Sequence, residues 1–228
     1  MKTMVLSDLL SLKPALFQIA WVAVIVDAVM LVCMQSAEAA LAGIVVMVPY
    51  IVFFTLAVGD ETSGWDRMRL TLPVGRGVLV RSRYASVVLV ALATFAIMLV
   101  ANTLFVGIIG MIPQLSGWLG GMALTGDSVV NMLGSGVFAI AMCMLFCAFT
   151  IPPVFRFGIT RATRFIPVLG VLGLLVAFAA LSDSTGVSLD VLDAMSPLVV
   201  VGVPVVVSAA ICAASIAVAT RMLERREF

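Results

Sequence analysis

Six runs of apolar residues, at roughly 14–34, 39–58, 84–111, 129–153, 166–182 and 197–220, leave this chain few folds to choose from. Each run is close to the roughly 20 residues that an α-helix needs to cross a hydrocarbon layer about 30 Å thick. Lipid offers no water to the backbone, so runs of this kind satisfy their N–H and C=O groups internally, as helices. The expected fold class is therefore an all-α membrane protein with six transmembrane helices. The composition agrees, with 63% hydrophobic and 11% charged residues, where a soluble domain carries about 25% charged. Six spans and their connections use up the 228 residues and leave no room for a soluble catalytic domain. Residues 1–228 thus read as a single transmembrane domain, and no cleavable signal peptide is expected ahead of the first span.

The basic residues orient the spans. With the N-terminus inside, the inner segments are the leader, residues 59–83, residues 154–165 and the tail from Arg221. These hold Lys2, Lys13, Arg67, Arg69, Arg76, Arg81, Arg83, Arg156, Arg161, Arg164, Arg221, Arg225 and Arg226, which are all 13 Lys and Arg of the chain. The outer segments hold Glu38, Asp127, Asp183, Asp190 and Asp193 instead. This pattern obeys the positive-inside rule and predicts that both termini are cytoplasmic.

Residues 59–84, GDETSGWDRMRLTLPVGRGVLVRSRY, form the one long polar run between two spans. Asp60 and Ser63 are expected as caps of a short helix, Ser63 with Asp66 as a variant capping box. Trp65, Met68 and Leu72 then share a helical face. Pro73 ends that helix, Val74-Gly75-Arg76-Gly77 turns, and Val78 onward runs as a helix, through Arg81 and Arg83, into the next span. An amphipathic helix with an aromatic anchor and a charged rim suits docking to a protein partner.

The run Asp60-Glu61, Gly64-Trp65, Leu72-Pro73-Val74, Arg76 and Ser82-Arg83-Tyr84 resembles the first cytoplasmic loop of type-2 ATP-binding-cassette (ABC) exporter permeases, in the branch of small six-span subunits. Two positions depart from the pattern, Gly75 where Ser is common and Arg83 where Lys is common. The resemblance extends along the chain through span number and loop sizes, with a second local match in the turn from Pro153 to Gly158. It implies a permease that pairs with a second copy, as a homodimer, and with a separate ABC ATPase that binds ATP and Mg. It also implies a bacterial cytoplasmic membrane as the location, and export of a peptide, an antimicrobial or a lipophilic compound. Its ATPase-coupling residues are Asp60, Glu61, Trp65, Arg67, Met68, Leu72, Pro73 and Arg76. A second inner-loop contact falls on Arg156, Phe157, Arg161 and Arg164. Read without the resemblance, those arginines and phenyl rings anchor the loop to lipid at the membrane edge.

The N-terminal residues place Val5, Leu9 and Leu12 on one face and Ser7, Asp8 and Ser11 away from it. They form either an interfacial amphipathic helix, broken from the first span by Pro14, or an unstructured leader. Pro49 and Pro204 fall inside spans two and six as kinks. The outer segments around Gly117-Trp118 and Leu189 either cap an exit path or connect helices. Asp27 lies about 13 residues into the first span, where a carboxylate costs roughly 2.5–3.5 kcal/mol on insertion scales. It faces either a translocation path or a structural partner, and Gln18 and Trp21 are candidates to extend a polar stripe from it. Ala209, Ala213 and Ala217 allow close packing of the last span.

Catalytic chemistry finds little support. The chain has no His, which excludes a His-based triad. Cys33, Cys143, Cys147 and Cys212 lack the further ligands of a metal site and read as small apolar thiols. There is no GxxxxGK[ST] run, so ATP hydrolysis, like any cofactor, is expected in a partner and not in this chain. No nucleic-acid partner is expected. Two other classes stand as alternatives: an ATPase-independent secondary transporter using Asp27, and a non-transporting membrane scaffold.

Overall fold

The computed structural model describes residues 2–64, 75–111, 126–158 and 197–224. They form five helices, α1 (Lys2–Met34), α2 (Ala37–Thr62), α3 (Arg76–Met111), α4 (Gly126–Phe157) and α5 (Pro197–Glu224), and no strand among the described residues. All five are long and apolar enough to cross a membrane. They match five of the six apolar runs, while the run at 166–182 lies outside the described residues.

Local chemistry sets the helix ends. Gln35, at φ 51°, takes the left-handed turn that stops α1. Ser36 then caps α2, its Oγ accepting from the Ala39 N–H at 3.3 Å. A two-residue connection of this kind makes α1 and α2 antiparallel neighbours. At its other end α2 continues beyond the expected limit. Asp60 and Glu61 form its last turn and Ser63 is its C-cap, donating to Gly59 O from both N–H (3.0 Å) and Oγ (2.6 Å). Asp60 and Ser63 therefore close α2, and the short helix they were expected to cap falls on residues outside the described ones. Gly64 is the reason α2 closes here, since its φ of 67° supplies the left-handed residue that ends a helix at little steric cost.

The N-terminus corrects a second expectation. α1 is one helix from Lys2 to Met34 and passes through Pro14 without a break, because proline's fixed φ is helical and removes one backbone bond only. The polar side of its first turns is the inner one: Asp8 is fully buried, while Leu6 and Leu10 face outward. α3 begins at Arg76, two residues before the start expected at Val78, and Arg81, Ser82 and Arg83 are helical as expected.

The registers between helices are regular. Asp8 meets Arg83 and Asp27 meets Asn102, so α1 and α3 run parallel. Met144 O meets Cys212 Sγ at 3.5 Å and Ala148 O meets Ser215 Oγ at 2.5 Å, so α4 and α5 also run parallel. Glu61 beside Gly158 and Leu41 beside Gly136 set α2 parallel to α4. Tyr84 against Ser215 and Gly77 against Thr220 set α3 antiparallel to α5. Every inner segment thus leaves from one end of the bundle, called here the basic end.

Apolar clusters fill the interior. One gathers Phe53, Val80, Tyr84, Val87, Cys147, Ile151 and Leu223 near the basic end, and another gathers Leu31, Leu41, Val45, Val106 and Met132 toward the opposite end. Gly136 lets α4 come close: a Cβ there would collide with the Phe95 ring and press on Leu41 Cδ2 at 3.0 Å. The outward faces are as apolar as the core, with Phe17, Trp21, Leu104, Phe149 and Val206 all exposed, as a surface bathed in lipid tails requires.

Candidate functional site

At the basic end, three helices converge on one guanidinium. Arg83 of α3 is 5% exposed and pairs with Asp60 from the last turn of α2 and, at 3.5 Å, with Asp8 Oδ2 of α1. Ser86, one turn further along α3, donates to the same Asp8 oxygen at 3.3 Å. Removing such charges from water costs several kcal/mol per ion, which mutual attraction offsets only when each partner is held in place. The cluster therefore ties α1, α2 and α3 together at the end of the bundle where the polar segment 65–74 leaves α2 and leads into α3.

A second polar contact lies one helix layer away. Pro152 has no N–H, so the Ala148 carbonyl of α4 loses its normal intrahelical donor. Ser215 of α5 supplies one, donating to Ala148 O at 2.5 Å, and Tyr84 of α3 donates to Ser215 Oγ at 2.6 Å. Thr150 Oγ1 bonds Phe146 O at 2.7 Å in the same turns of α4. Neighbouring hydroxyls of this kind are what let a proline sit inside a membrane helix.

The two inner segments also start side by side. The Glu61 carboxyl lies 3.5–3.7 Å from where a Gly158 Cβ would stand, so the end of α2 touches the end of α4. Gly158 closes α4 in the left-handed region, at φ 79°, with its N–H on Val154 O at 3.0 Å.

Within the bundle, Asp27 is fully buried between α1 and α3. Asn102 Nδ2 donates to Asp27 Oδ2 at 2.9 Å and to Met98 O at 3.1 Å. Gln18 and Trp21 do not extend a stripe from it. Both face outward, Gln18 lining an open groove of about 190 Å³ between α1 and α2 with Val22, Met47 and Ile51.

The expected site residues divide accordingly. Asp60 and Glu61 sit at the basic end of α2, Asp60 turned inward to Arg83 and Glu61 turned toward Gly158. Arg76 is the first residue of α3, Arg156 is exposed in the last turn of α4, and Phe157 is its last residue. Trp65, Arg67, Met68, Leu72, Pro73, Arg161 and Arg164 lie outside the described residues. Sequence reasoning missed Asp8, Arg83, Asn102, Tyr84 and Ser215 as partners. The available signal was cost, since a buried Asp or Arg in a helix demands a partner.

Cys143 and Cys147 are buried on α4, Cys212 is half-buried on α5 and Cys33 is exposed, all as free thiols. Among the described residues, no group of three or more His, Cys, Asp and Glu is placed to hold a metal ion.

No curated protein and no solved structure matches the chain. Residues 3–224 match a family model described as "ABC-2 family transporter protein". The match spans all five described helices and both ends of the basic cluster, and so the chain belongs to the ABC-2 family of transporter membrane proteins.

Proposed function

We propose that this chain is the permease subunit of an ATP-driven exporter, working as a pair of copies with a separate ABC ATPase. The observation that carries this reading is the adjacency of Glu61 and Gly158, with Arg83 of α3 paired to Asp60 of α2 across the segment 65–74. Two basic inner segments that leave the bundle side by side make one composite surface for a partner. Trp65, Arg67, Met68, Leu72, Pro73 and Arg76 supply its first part, and Arg156, Phe157, Arg161 and Arg164 its second.

The topology proposed is six spans with both termini cytoplasmic. Its support is that α4 and α5 run parallel, so the chain leaves α4 at the basic end and enters α5 at the other. A crossing by the apolar run at 166–182 accounts for that return.

In the proposed mechanism, closure of the ATPase pair on ATP displaces the helix that carries Trp65, and Pro73 and Arg76 pass the motion to α3. Asp60, held by Arg83, passes it to α2 and, through Asp8, to α1. ATP must bind the inward and outward states with different affinity, since a ligand shifts only an equilibrium whose states it binds unequally. The substrate class proposed, a peptide, an antimicrobial or another lipophilic compound, rests on the family resemblance.

The test is co-purification in nanodiscs with the ATPase encoded beside it, followed by ATP hydrolysis with Trp65→Glu and Leu72→Glu. A complex that is lost, or whose hydrolysis no longer responds to transported compound, supports the reading. A stable complex with unchanged stimulation sinks it.

A further inference from the structure

Asp27 is the only charged residue between positions 14 and 37, α2 has none between 39 and 59, and α3 has none between 84 and 111. No Lys or Arg occurs anywhere between Lys13 and Arg67. Ala23 and Leu31, one turn to either side of Asp27, pack in apolar clusters with Ile44, Val48 and Met98 and with Leu41 and Val45. The carboxyl is therefore buried beside apolar clusters, and its hydrogen-bond partner among the described residues is Asn102, which is as fully buried as Asp27.

The hydrogen bonding of this pair is incomplete in a specific way. Both Nδ2 protons of Asn102 are used, one on Asp27 Oδ2 and one on Met98 O. The Met98 carbonyl fixes the amide orientation, because the reverse orientation would set oxygen against oxygen. Asp27 Oδ1 and Asn102 Oδ1 are then both buried with no hydrogen-bond partner. Both are acceptors, and what the pair lacks is one donor. An ionised carboxylate supplies none, while a protonated carboxyl supplies one and removes the buried charge at the same time.

We infer that Asp27 and Asn102 form a proton-binding site that pins α1 to α3. The bound proton comes from water, sits on Asp27 Oδ1 and leaves the residue a neutral acid paired with a neutral amide. The apolar clusters on either side of it hold Ala23 and Leu31 of α1, Ile44 and Val48 of α2, and Met98 of α3, none of which titrates. On α1 the next titratable group toward the outer end is Cys33, and on α2 Glu38 stands in the first turn while Tyr50 packs on Phe54 and Phe146. α4 carries Asp127 in its first turn, at the same end of the bundle as Asp27, and Cys143 and Cys147 in the cluster at the basic end. The inference does not rest on the transport reading, since it concerns how two helices of this chain are held.

The experiment is infrared difference spectroscopy of the full chain in nanodiscs at neutral pH, wild type minus Asp27→Asn, in H₂O and D₂O. A protonated-acid carbonyl band that shifts in D₂O and vanishes in the variant is expected. Carboxylate bands in its place overturn the inference. Thermal unfolding gives a second readout. Asp27→Asn, which can offer Asn102 an N–H in place of the acid O–H, keeps the wild-type melting temperature, while Asp27→Leu lowers it and Asp27→Leu with Asn102→Leu restores it. A melting temperature raised by sodium chloride over choline chloride in wild type but not in Asp27→Asn would assign the site to a metal cation and reject the proton.

Discussion

Ser215 shows how a single hydroxyl can be required by a residue on another helix. Pro152 strips the Ala148 carbonyl of its donor, and Ser215 restores one while accepting from Tyr84. Ser215→Ala should leave a buried carbonyl and a buried phenol unpaired, at a cost of about 1–3 kcal/mol, or toward the ~0.6 kcal/mol typical of hydrogen bonds between membrane helices if the site relaxes. Pro152→Ala returns an N–H to position 152. In that background the Ser215→Ala penalty should shrink, and a double-mutant cycle by thermal unfolding in detergent measures the coupling. Additive effects would mean that the proline and the serine act independently. None of this could be read from the sequence, where Ser215 is one small residue in an alanine-rich span. Asp27 stood out there because its charge interrupts an apolar run, but Asn102, 75 positions on, carries no charge to draw notice.

At the scale of the element, α3 follows its sequence reading closely, a helix that runs from the turn at Gly75 through Arg81 and Arg83 into the span. What the sequence hid is burial: Arg83 lies inside, against Asp8 and Asp60. The same cause hid the role of Asp8, whose leader reads as amphipathic with its polar side outward, whereas lipid reverses the usual sense. Arg83→Met should strand two buried carboxylates and cost about 3–5 kcal/mol, seen as a collapse of the monodisperse fraction in size-exclusion chromatography. Adding Asp8→Asn and Asp60→Asn should recover much of it, since neutral side chains leave no charge to compensate. If Arg83→Met alone is as stable as wild type, the cluster does not hold these helices together.

At the scale of the whole molecule, the apolar runs made the five described helices legible, because spans are long and locally coded. Contacts between spans are not locally coded, and the parallel sense of α4 and α5 is read only from contacts between distant residues, Met144 with Cys212 and Ala148 with Ser215. Topology gives the corresponding test. In a cysteine-free background, single cysteines at Glu38 and Asp127 should react with an impermeant thiol reagent from outside intact cells, and those at Ser63 and Gly158 only after lysis. A cysteine at Asp190 labelled from inside would remove the sixth span.

Two polar ties between α1 and α3, at Asp8 and Asp27, are separated by 19 positions along α1, which is about 28 Å at 1.5 Å per residue. Fastened near both ends, the two helices can neither slide past one another nor roll about their own axes without breaking a tie. They behave as a stiff plank. Whatever shape change accompanies a working cycle is then confined to tilting of that plank as a unit, and to the seams it shares with α2, α4 and α5.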